Sequence, residues 1–387
     1  MTRPRGRMTT AIVAGGLVLA FVAAVYWFPL AVGLAVGAVF ALAGVVLFRS
    51  TAWRNSSLVL ASLLVGLTGF EVAFGLIDVP PRNFAVVKVN KPAQWSPYDS
   101  VVGYRPKPDT SVEVLATFGD KTVFHQTYTI EPSGARRTPG SVPQAPTYLF
   151  IGDSFVFGEG LADDETLPSQ FAQGLRTKSH VVNLGVLGYG PNHLVRAMEA
   201  GLYDAHVVGK VEAVITWIIP DQLMRVTGDG GWLTLSPRYV LEEDGRVRHT
   251  GSFLEHRLTN PVAGAAYLAR SRVGWVARAM GASLQREQTD LYVALLARLK
   301  ELVEERYKAP LVLIYQWPDE VVPGANDLDH LPTFESIKAL GMKMVSVRQI
   351  IGKESRDWHL YAIPHDGHPN ARLDALLAKS LLHALDK

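Results

Sequence analysis

The sequence predicts an α/β protein: a parallel sheet covered by helices on both faces, preceded by a β-rich prelude and three membrane-spanning helices. Three observations predict this: long apolar runs near the N-terminus, then short alternating runs broken by prolines, and from residue 147 a regular alternation of strand and helix. We divide the 387 residues into an anchor (1–77), the prelude with a linker (78–145) and a C-terminal domain (146–387) with an insertion at about 221–288.

The predicted anchor contains three apolar stretches, each close to the 20 or so residues that a helix needs to cross a bilayer. They are about Thr9–Phe28, Pro29–Phe48 and Ser57–Ile77. No charged residue occurs between Arg7 and Arg49. Three arginines (3, 5 and 7) precede the first stretch, and Arg49 and Arg54 follow the second. The positive-inside rule then predicts an integral membrane protein with a cytoplasmic N-terminus, a periplasmic or extracellular C-terminal domain, and the lipid bilayer as a partner.

The composition excludes several classes of function. The chain has no cysteine, which excludes disulfides and thiolate catalysis. The net charge is only +2, and no basic face of the kind that binds nucleic acid is evident. The histidines lack the spacing of metal ligands, so we expect neither a metal nor another cofactor.

The C-terminal domain is predicted to contain alternating strands and helices. The strands are Thr147–Ile151, His180–Val186, Val211–Ile219, Pro310–Tyr315 and Lys343–Val347. The helices are Asp163–Leu175, Asn192–Tyr203, Thr289–Tyr307, Leu331–Leu340 and Arg372–Leu385. Within the insertion, residues 239–248 are typical of a β-hairpin.

Three motifs follow strands or precede the last helix, where open parallel sheets bind their ligands. They are Gly-Asp-Ser at 152–154, Asn-Leu-Gly-Val-Leu-Gly at 183–188 and Asp-Gly-His at 366–368. Together they supply a hydroxyl nucleophile, backbone N–H donors for an oxyanion, and an imidazole base beside a carboxylate. Each motif alone is weak evidence, because it is common in turns. Their occurrence together and in this order indicates serine chemistry.

On these blocks, residues 147–387 resemble the SGNH (GDSL-type) hydrolases, a family of serine esterases, lipases and carbohydrate acyl-esterases or acyltransferases. The resemblance implies a flavodoxin-like three-layer α/β/α sandwich. It also implies that Ser154 is the nucleophile, His368 the general base and Asp366 the acid that orients it, with the N–H groups of Ser154 and Gly188 facing the oxyanion. Asp153 is interpreted as structural.

The chain departs from the family pattern in two places. Pro220 stands where the third block usually has an asparagine that donates to the oxyanion, and we predict Gln222 as its substitute. The acid and base are two residues apart instead of three, which leaves Asp357 as an alternative acid.

Other polar residues receive structural interpretations. His365 is an alternative base but is interpreted as an exposed neighbour. His193 is assigned to a surface position at a helix N-terminus, and Arg136-Arg137 to a solvated turn.

The resemblance implies a membrane-anchored serine esterase or O-acyltransferase that acts through an acyl-serine on acyl esters, chiefly acetyl, of an envelope glycan or lipid-linked substrate. Its partners would be that acylated carbohydrate or lipid and envelope biosynthesis proteins. Two alternatives stay open: a non-catalytic module of the same fold that binds a glycan or an assembly partner, and a lysophospholipase.

Overall fold

The computed structural model describes residues 30–48, 50–78, 86–228, 230–264, 267, 274–316, 331–351 and 358–386. Helices α1 and α2 fall in one compact unit. A second unit contains the elements from β1 onward, apart from the first turns of α7.

The α-helices are α1 (Leu30–Leu47), α2 (Thr51–Asp78), α3 (Ser154–Phe157), α4 (Leu167–Gly174), α5 (Pro191–Glu199), α6 (Phe253–Thr259), α7 (Gly274–Tyr307), α8 (Leu331–Ala339), α9 (Val347–Ile351) and α10 (Ala371–Ala384). The strands are β1 (Val86–Lys91), β2 (Tyr98–Asp99), β3 (Gly103–Tyr104), β4 (Thr110–Phe118), β5 (Lys121–Ile130), β6 (Thr147–Gly152), β7 (His180–Gly185), β8 (Val211–Ile218), β9 (Pro237–Leu241), β10 (Val247–Ser252), β11 (Leu311–Tyr315) and β12 (Lys343–Ser346).

The described part of the chain contains no helix that combines the length and the apolar character needed to cross a bilayer. Helix α1 has 18 residues, at the short end of the roughly 17–25 residues that span a bilayer as a helix. Helix α2 is longer, but Arg54, Asn55, Ser56 and Ser57 fall within its first two turns. The prediction of membrane-spanning helices is therefore wrong for the two stretches that the structure describes, and the integral membrane localisation predicted from three crossings is contradicted with it. The first predicted stretch, about Thr9–Phe28, lies outside the described residues.

The second unit is built on a five-stranded parallel sheet with the strand order β7-β6-β8-β11-β12. Numbered along the chain, this order is 2-1-3-4-5, the order of flavodoxin-like sheets. The α/β character and the parallel sheet agree with the sequence prediction. Because successive connections leave β6 and β8 toward opposite edges of the sheet, the loops after β6 and β8 lie at its switch point.

Both faces of this sheet are buried, which is why its strands are almost continuously apolar. Along β6, Leu149 and Ile151 point into one core and Tyr148 and Phe150 into the other. Helices α5, α7 and α8 contribute to the first core, and α4 and α10 to the second. The unit therefore has three layers, and β6 lies in the sheet between the two helical layers.

The prelude forms an antiparallel sheet with the order β1-β4-β5 and a small β2–β3 ladder. Strand β4 alternates buried and partly exposed residues, the pattern of a sheet with one covered face. The apolar face packs with Phe157, Leu161 and Ile363 of the sandwich, so the prelude lies beside the loops that carry the predicted motifs.

The insertion contains the predicted hairpin, formed by β9 and β10, followed by α6. Helix α4 begins at Leu167, four residues later than the predicted start at Asp163. Asp163 lies in the preceding turn, where its Oδ1 accepts a hydrogen bond from Arg136 Nε at 3.2 Å.

Candidate active site

Ser154 lies on a tight turn between β6 and α3. Asp153 caps α3 by accepting a hydrogen bond from the N–H of Phe155, and Ser154 is the first helical residue, 5% exposed. A side chain at Gly152 would place a Cβ 2.5 Å from Val156 Cγ2, so the close return of α3 over the strand end requires glycine. The Gly-Asp-Ser sequence therefore sets the position of the hydroxyl.

The second motif lies on the neighbouring strand. A Cβ on Gly185, the last residue of β7, would lie 2.3 Å from the backbone nitrogen of Phe157, so α3 packs directly against the strand end. Gly188 has a φ of +78°, a conformation that favours glycine. Its Cα faces Trp232 and Tyr104, since a Cβ there would lie 2.8 Å from Trp232 Nε1 and 2.9 Å from Tyr104 Oη.

A compact loop before α10 carries the third motif. The N–H of Ile363 donates to the carbonyl of His368 at 2.7 Å, and the N–H of Gly367 donates back to the carbonyl of Ile363 at 3.0 Å. Gly367 has a φ of +88°. This reversal turns the side chains of Asp366 and His368 toward each other, so the two-residue spacing still presents acid and base as a pair.

The three predicted side chains come together. His368 Nε2 lies 2.8 Å from Ser154 Oγ, and His368 Nδ1 is hydrogen-bonded to Asp366 Oδ1. The Asp366 side chain is almost fully buried and that of His368 largely so. The order hydroxyl–imidazole–carboxylate is that of a nucleophile, its base and the group that orients the base.

Two further charged residues, which the sequence analysis did not single out, belong to this site. Lys88 Nζ lies 2.7 Å from Asp366 Oδ2 and 2.6 Å from Glu159 Oε1, and Glu159 Oε2 lies 3.2 Å from His368 Nε2. The available signals were weak. Residues of β1 are alternately partly buried and exposed, and Lys88 is at one of the partly buried positions. Glu159 is a carboxylate between two glycines just after α3.

Local charges set the ionisation of these groups. Burial favours the neutral form of Asp366, but the hydrogen bond from His368 and the ammonium of Lys88 outweigh it and hold the pKa of Asp366 at about 2. Burial acts to lower the pKa of His368, yet the bond to Asp366 and the Glu159 carboxylate raise it above 6.5. Burial opposes the charge of Lys88 as well, and the two carboxylates nevertheless raise its pKa.

Gln222 lies beneath the nucleophile turn, only 3% exposed. Its Nε2 donates to Asp153 Oδ2 at 2.8 Å and to the carbonyl of Trp217 at 3.0 Å, while its Oε1 accepts from Tyr292 Oη at 3.0 Å. Both amide hydrogens thus have protein acceptors. This arrangement directs the Gln222 amide to Asp153 and to the carbonyl of Trp217.

The remaining candidates lie apart from this chemistry. The ring of His365 stacks on Phe118 with centroids 4.0 Å apart. The surface assignment of His193 is wrong: the residue is fully buried, its Nδ1 accepts from the N–H of Gly190, and burial together with the Arg225 charge lowers its pKa to about 3. Asp357, the alternative acid, lies outside the described residues.

An open groove of about 760 Å³ is lined by Lys88 and Glu159, which contact Asp366 and His368 respectively. Tyr98 and Trp232 on its walls are 66% and 54% exposed. Gly188, whose N–H is predicted to face the oxyanion, also lines it. No group of three histidine, aspartate or glutamate side chains within the described ranges is placed to hold a metal ion.

No family model and no curated protein matches this chain. Among solved structures, the chain is similar to a carbohydrate esterase family 2 enzyme with a carbohydrate-binding domain from Corynascus thermopiles (Myceliophthora fergusii). The two are 15% identical over 78% of this chain and 87% of that one, with a TM-score of 0.33. Another solved chain is 13% identical over 64% of this chain and 98% of its own, with a TM-score of 0.36. At TM-scores below 0.5, neither likeness indicates a function for this chain.

Proposed function

We propose that this chain is a serine-dependent esterase or O-acyltransferase that acts on acyl esters, chiefly acetyl esters, of carbohydrates. The observation that carries the proposal is the 2.8 Å contact between His368 Nε2 and Ser154 Oγ, with Asp366 on the opposite ring nitrogen. This geometry is the one that makes a serine hydroxyl nucleophilic.

In the proposed mechanism, Ser154 Oγ attacks the ester carbonyl while His368 Nε2 accepts the hydroxyl proton. Asp366 keeps the Nδ1–H tautomer in place and stabilises the imidazolium. The N–H groups of Ser154 and Gly188 are the proposed donors to the oxyanion. When the tetrahedral intermediate collapses, the C–O bond to the alcohol breaks and the imidazolium protonates the leaving oxygen. Water or a sugar hydroxyl then releases the acyl group from Ser154, again with His368 as base.

The walls of the groove support a carbohydrate substrate. Tyr98 and Trp232 present exposed aromatic faces in the groove that Lys88 and Glu159 also line, and such faces can stack on the C–H face of a sugar ring while its hydroxyls stay in water. Leu187 and Leu235 line the same groove. They favour a second candidate, an esterase for longer acyl chains such as a lysophospholipase.

The nucleophile is tested with 4-nitrophenyl acetate and an acetylated glycoside. Ser154→Ala should lower kcat/KM by at least about 10³-fold, whereas Ser380→Ala, a half-exposed serine on α10, should leave it unchanged. A fluorophosphonate probe should label Ser154 in the same preparation. Equal turnover in the two variants, or no labelling, would favour the non-catalytic glycan-binding module.

The substrate is tested at Trp232. If the ring stacks on a sugar, Trp232→Leu should raise KM for the acetylated glycoside and Trp232→Phe should not. If the groove holds an acyl chain, both variants should keep activity on 4-nitrophenyl octanoate and lysophosphatidylcholine, and those esters should be preferred over acetate. Adding a free glycoside and measuring its acylation separates transfer from hydrolysis.

A further inference from the structure

The base, His368, forms a closed ring of contacts with three charged side chains, those of Asp366, Lys88 and Glu159. Asp366 holds His368 Nδ1 through Oδ1 and Lys88 through Oδ2, which lies 2.7 Å from Nζ. Lys88 also contacts Glu159 Oε1 at 2.6 Å, and Glu159 Oε2 closes the ring at 3.2 Å from His368 Nε2. Each carboxylate therefore uses one oxygen for the imidazole and the other for the ammonium.

Glu159 stands in a special position because it faces the nitrogen that must accept the serine proton. With a proton on Nδ1, neutral His368 directs a lone pair from Nε2 toward Ser154. An ionised carboxylate oxygen at 3.2 Å repels that lone pair and attracts the N–H of the imidazolium. Glu159 thus stabilises the protonated form of His368, which cannot act as a base.

Lys88 has the opposite effect. Its ammonium offsets the negative charge of both Glu159 and Asp366, and it disfavours a second positive charge on the nearby imidazole. The Glu159 side chain is only 9% exposed, so solvent screens these charges less than at the surface. Lys88 is supplied by β1, so the prelude contributes a charged group to the site.

We propose that Lys88 and Glu159 are an opposed pair of positioning residues that sets the pH at which His368 becomes a base, with Lys88 contributed by the prelude. The groups that face His368 in this scheme are Asp366, Glu159 and Lys88, besides the Ser154 hydroxyl. The catalytic consequence rests on the proposed function, whereas the effect on the protonation of His368 does not.

The test is an NMR titration of the His368 Cε1 signal, assigned by its loss in His368→Gln. Lys88→Met should raise the midpoint by on the order of 1 pH unit, because two carboxylates then face the imidazole without compensation. Glu159→Gln should lower it by a similar amount. The double variant should return close to the wild-type midpoint, and Lys88→Arg should preserve it.

Lys91→Met is the matched control, since it removes the same charge from an exposed position on the same strand, and it should not move the midpoint. The acidic limb of kcat/KM for 4-nitrophenyl acetate should shift in parallel with each titration. Shifts of the same sign in Lys88→Met and Glu159→Gln, or a Lys88→Met midpoint equal to that of Lys91→Met, would overturn the proposal. The titration needs no substrate, so absent esterase activity with opposed NMR shifts would count only against the proposed function.

Discussion

Arg225 Nη1 lies 2.7 Å from Asp153 Oδ2, and both side chains are largely or fully buried. The same nitrogen donates to the carbonyl of Tyr189 at 2.6 Å. One guanidinium from the insertion thereby joins the loops that follow β6 and β7. The insertion is thus part of the structure that holds the nucleophile turn.

We expect Arg225→Met to lower the free energy of unfolding by about 3–5 kcal/mol, because the substitution leaves the Asp153 carboxylate buried without its cation. Urea unfolding measures the change. Arg248→Met is the control from the same insertion: its partner Glu242 and the arginine itself are exposed, and such a pair contributes about 0–1 kcal/mol. Equal losses in the two variants would contradict a structural role for the buried pair.

Gln222 offers a way to separate support of the turn from stabilisation of the oxyanion. Because both amide hydrogens are bound to Asp153 and the Trp217 carbonyl, Gln222→Leu should cost about 1–3 kcal/mol of unfolding free energy through unsatisfied buried groups. It should lower kcat by less than about tenfold.

Loss of an oxyanion donor lowers kcat by about 10²–10³-fold. A decrease of that size in Gln222→Leu, with unchanged stability, would support the oxyanion donor that the sequence predicted and contradict support of the turn. Unfolding curves and kcat for 4-nitrophenyl acetate, measured on the same preparation, give the two quantities.

The parallel sheet and the relation of Ser154 to His368 could be anticipated because their signals are local. Strands buried on both faces are recognisable as apolar runs, and glycine-bearing turns mark where a hydroxyl or a backbone N–H reaches the sheet edge. The membrane prediction used the same kind of signal, an apolar run, and it is contradicted because no helix among the described residues is both long and apolar enough to cross a bilayer.

The charged partners of the site could not be anticipated, because long-range packing brings them together. Lys88 reaches Glu159 and Asp366 only after the prelude packs against the sandwich. Arg225 reaches Asp153 only after the insertion folds back. A single lysine or arginine in a sequence does not indicate which carboxylate it will contact, and most such residues are exposed.

The ionisation of the triad predicts two effects of pH. Since the pKa of His368 is raised above 6.5, the acidic limb of kcat/KM should have its midpoint above that value, with activity lost as His368 is protonated. The stabilising contribution of the His368 cation should be full below the unfolded-state pKa of about 6.5 and should be lost as pH rises through the folded-state pKa.

Asp366 acts in a different pH range. Its pKa is lowered to about 2, so its contribution to stability is present above the unfolded-state value of about 3.9 and is lost as pH falls toward 2.

Unfolding free energies of the wild type and His368→Gln, measured from pH 3 to pH 9, check the sign of the His368 contribution. The difference between the two proteins should shrink above about pH 6.5, and a difference that grows there would contradict the raised pKa of His368.

The adjacent arginines 136 and 137 give the sharpest contrast between the sequence interpretation and the structure. The solvated turn predicted for the pair is wrong for Arg136, which is 1% exposed, whereas Arg137 is exposed. The buried guanidinium donates to the carbonyls of Phe157, Gly158 and Leu161 at 2.6–2.7 Å. It therefore fixes the segment between α3 and Leu161, which includes Glu159.

Arg136→Met should lower the free energy of unfolding by about 3–5 kcal/mol, because three backbone carbonyls and Asp163 lose their donor in the protein interior. Arg137→Met removes the same charge one residue away and should change stability by no more than about 0.5 kcal/mol. Urea unfolding of both variants measures the contrast. Because Arg136 holds the segment that carries Glu159, its loss should also shift the His368 titration, whereas loss of Arg137 should not. A destabilised Arg136→Met protein with an unchanged His368 midpoint would mean that the position of Glu159 does not depend on this buried cation.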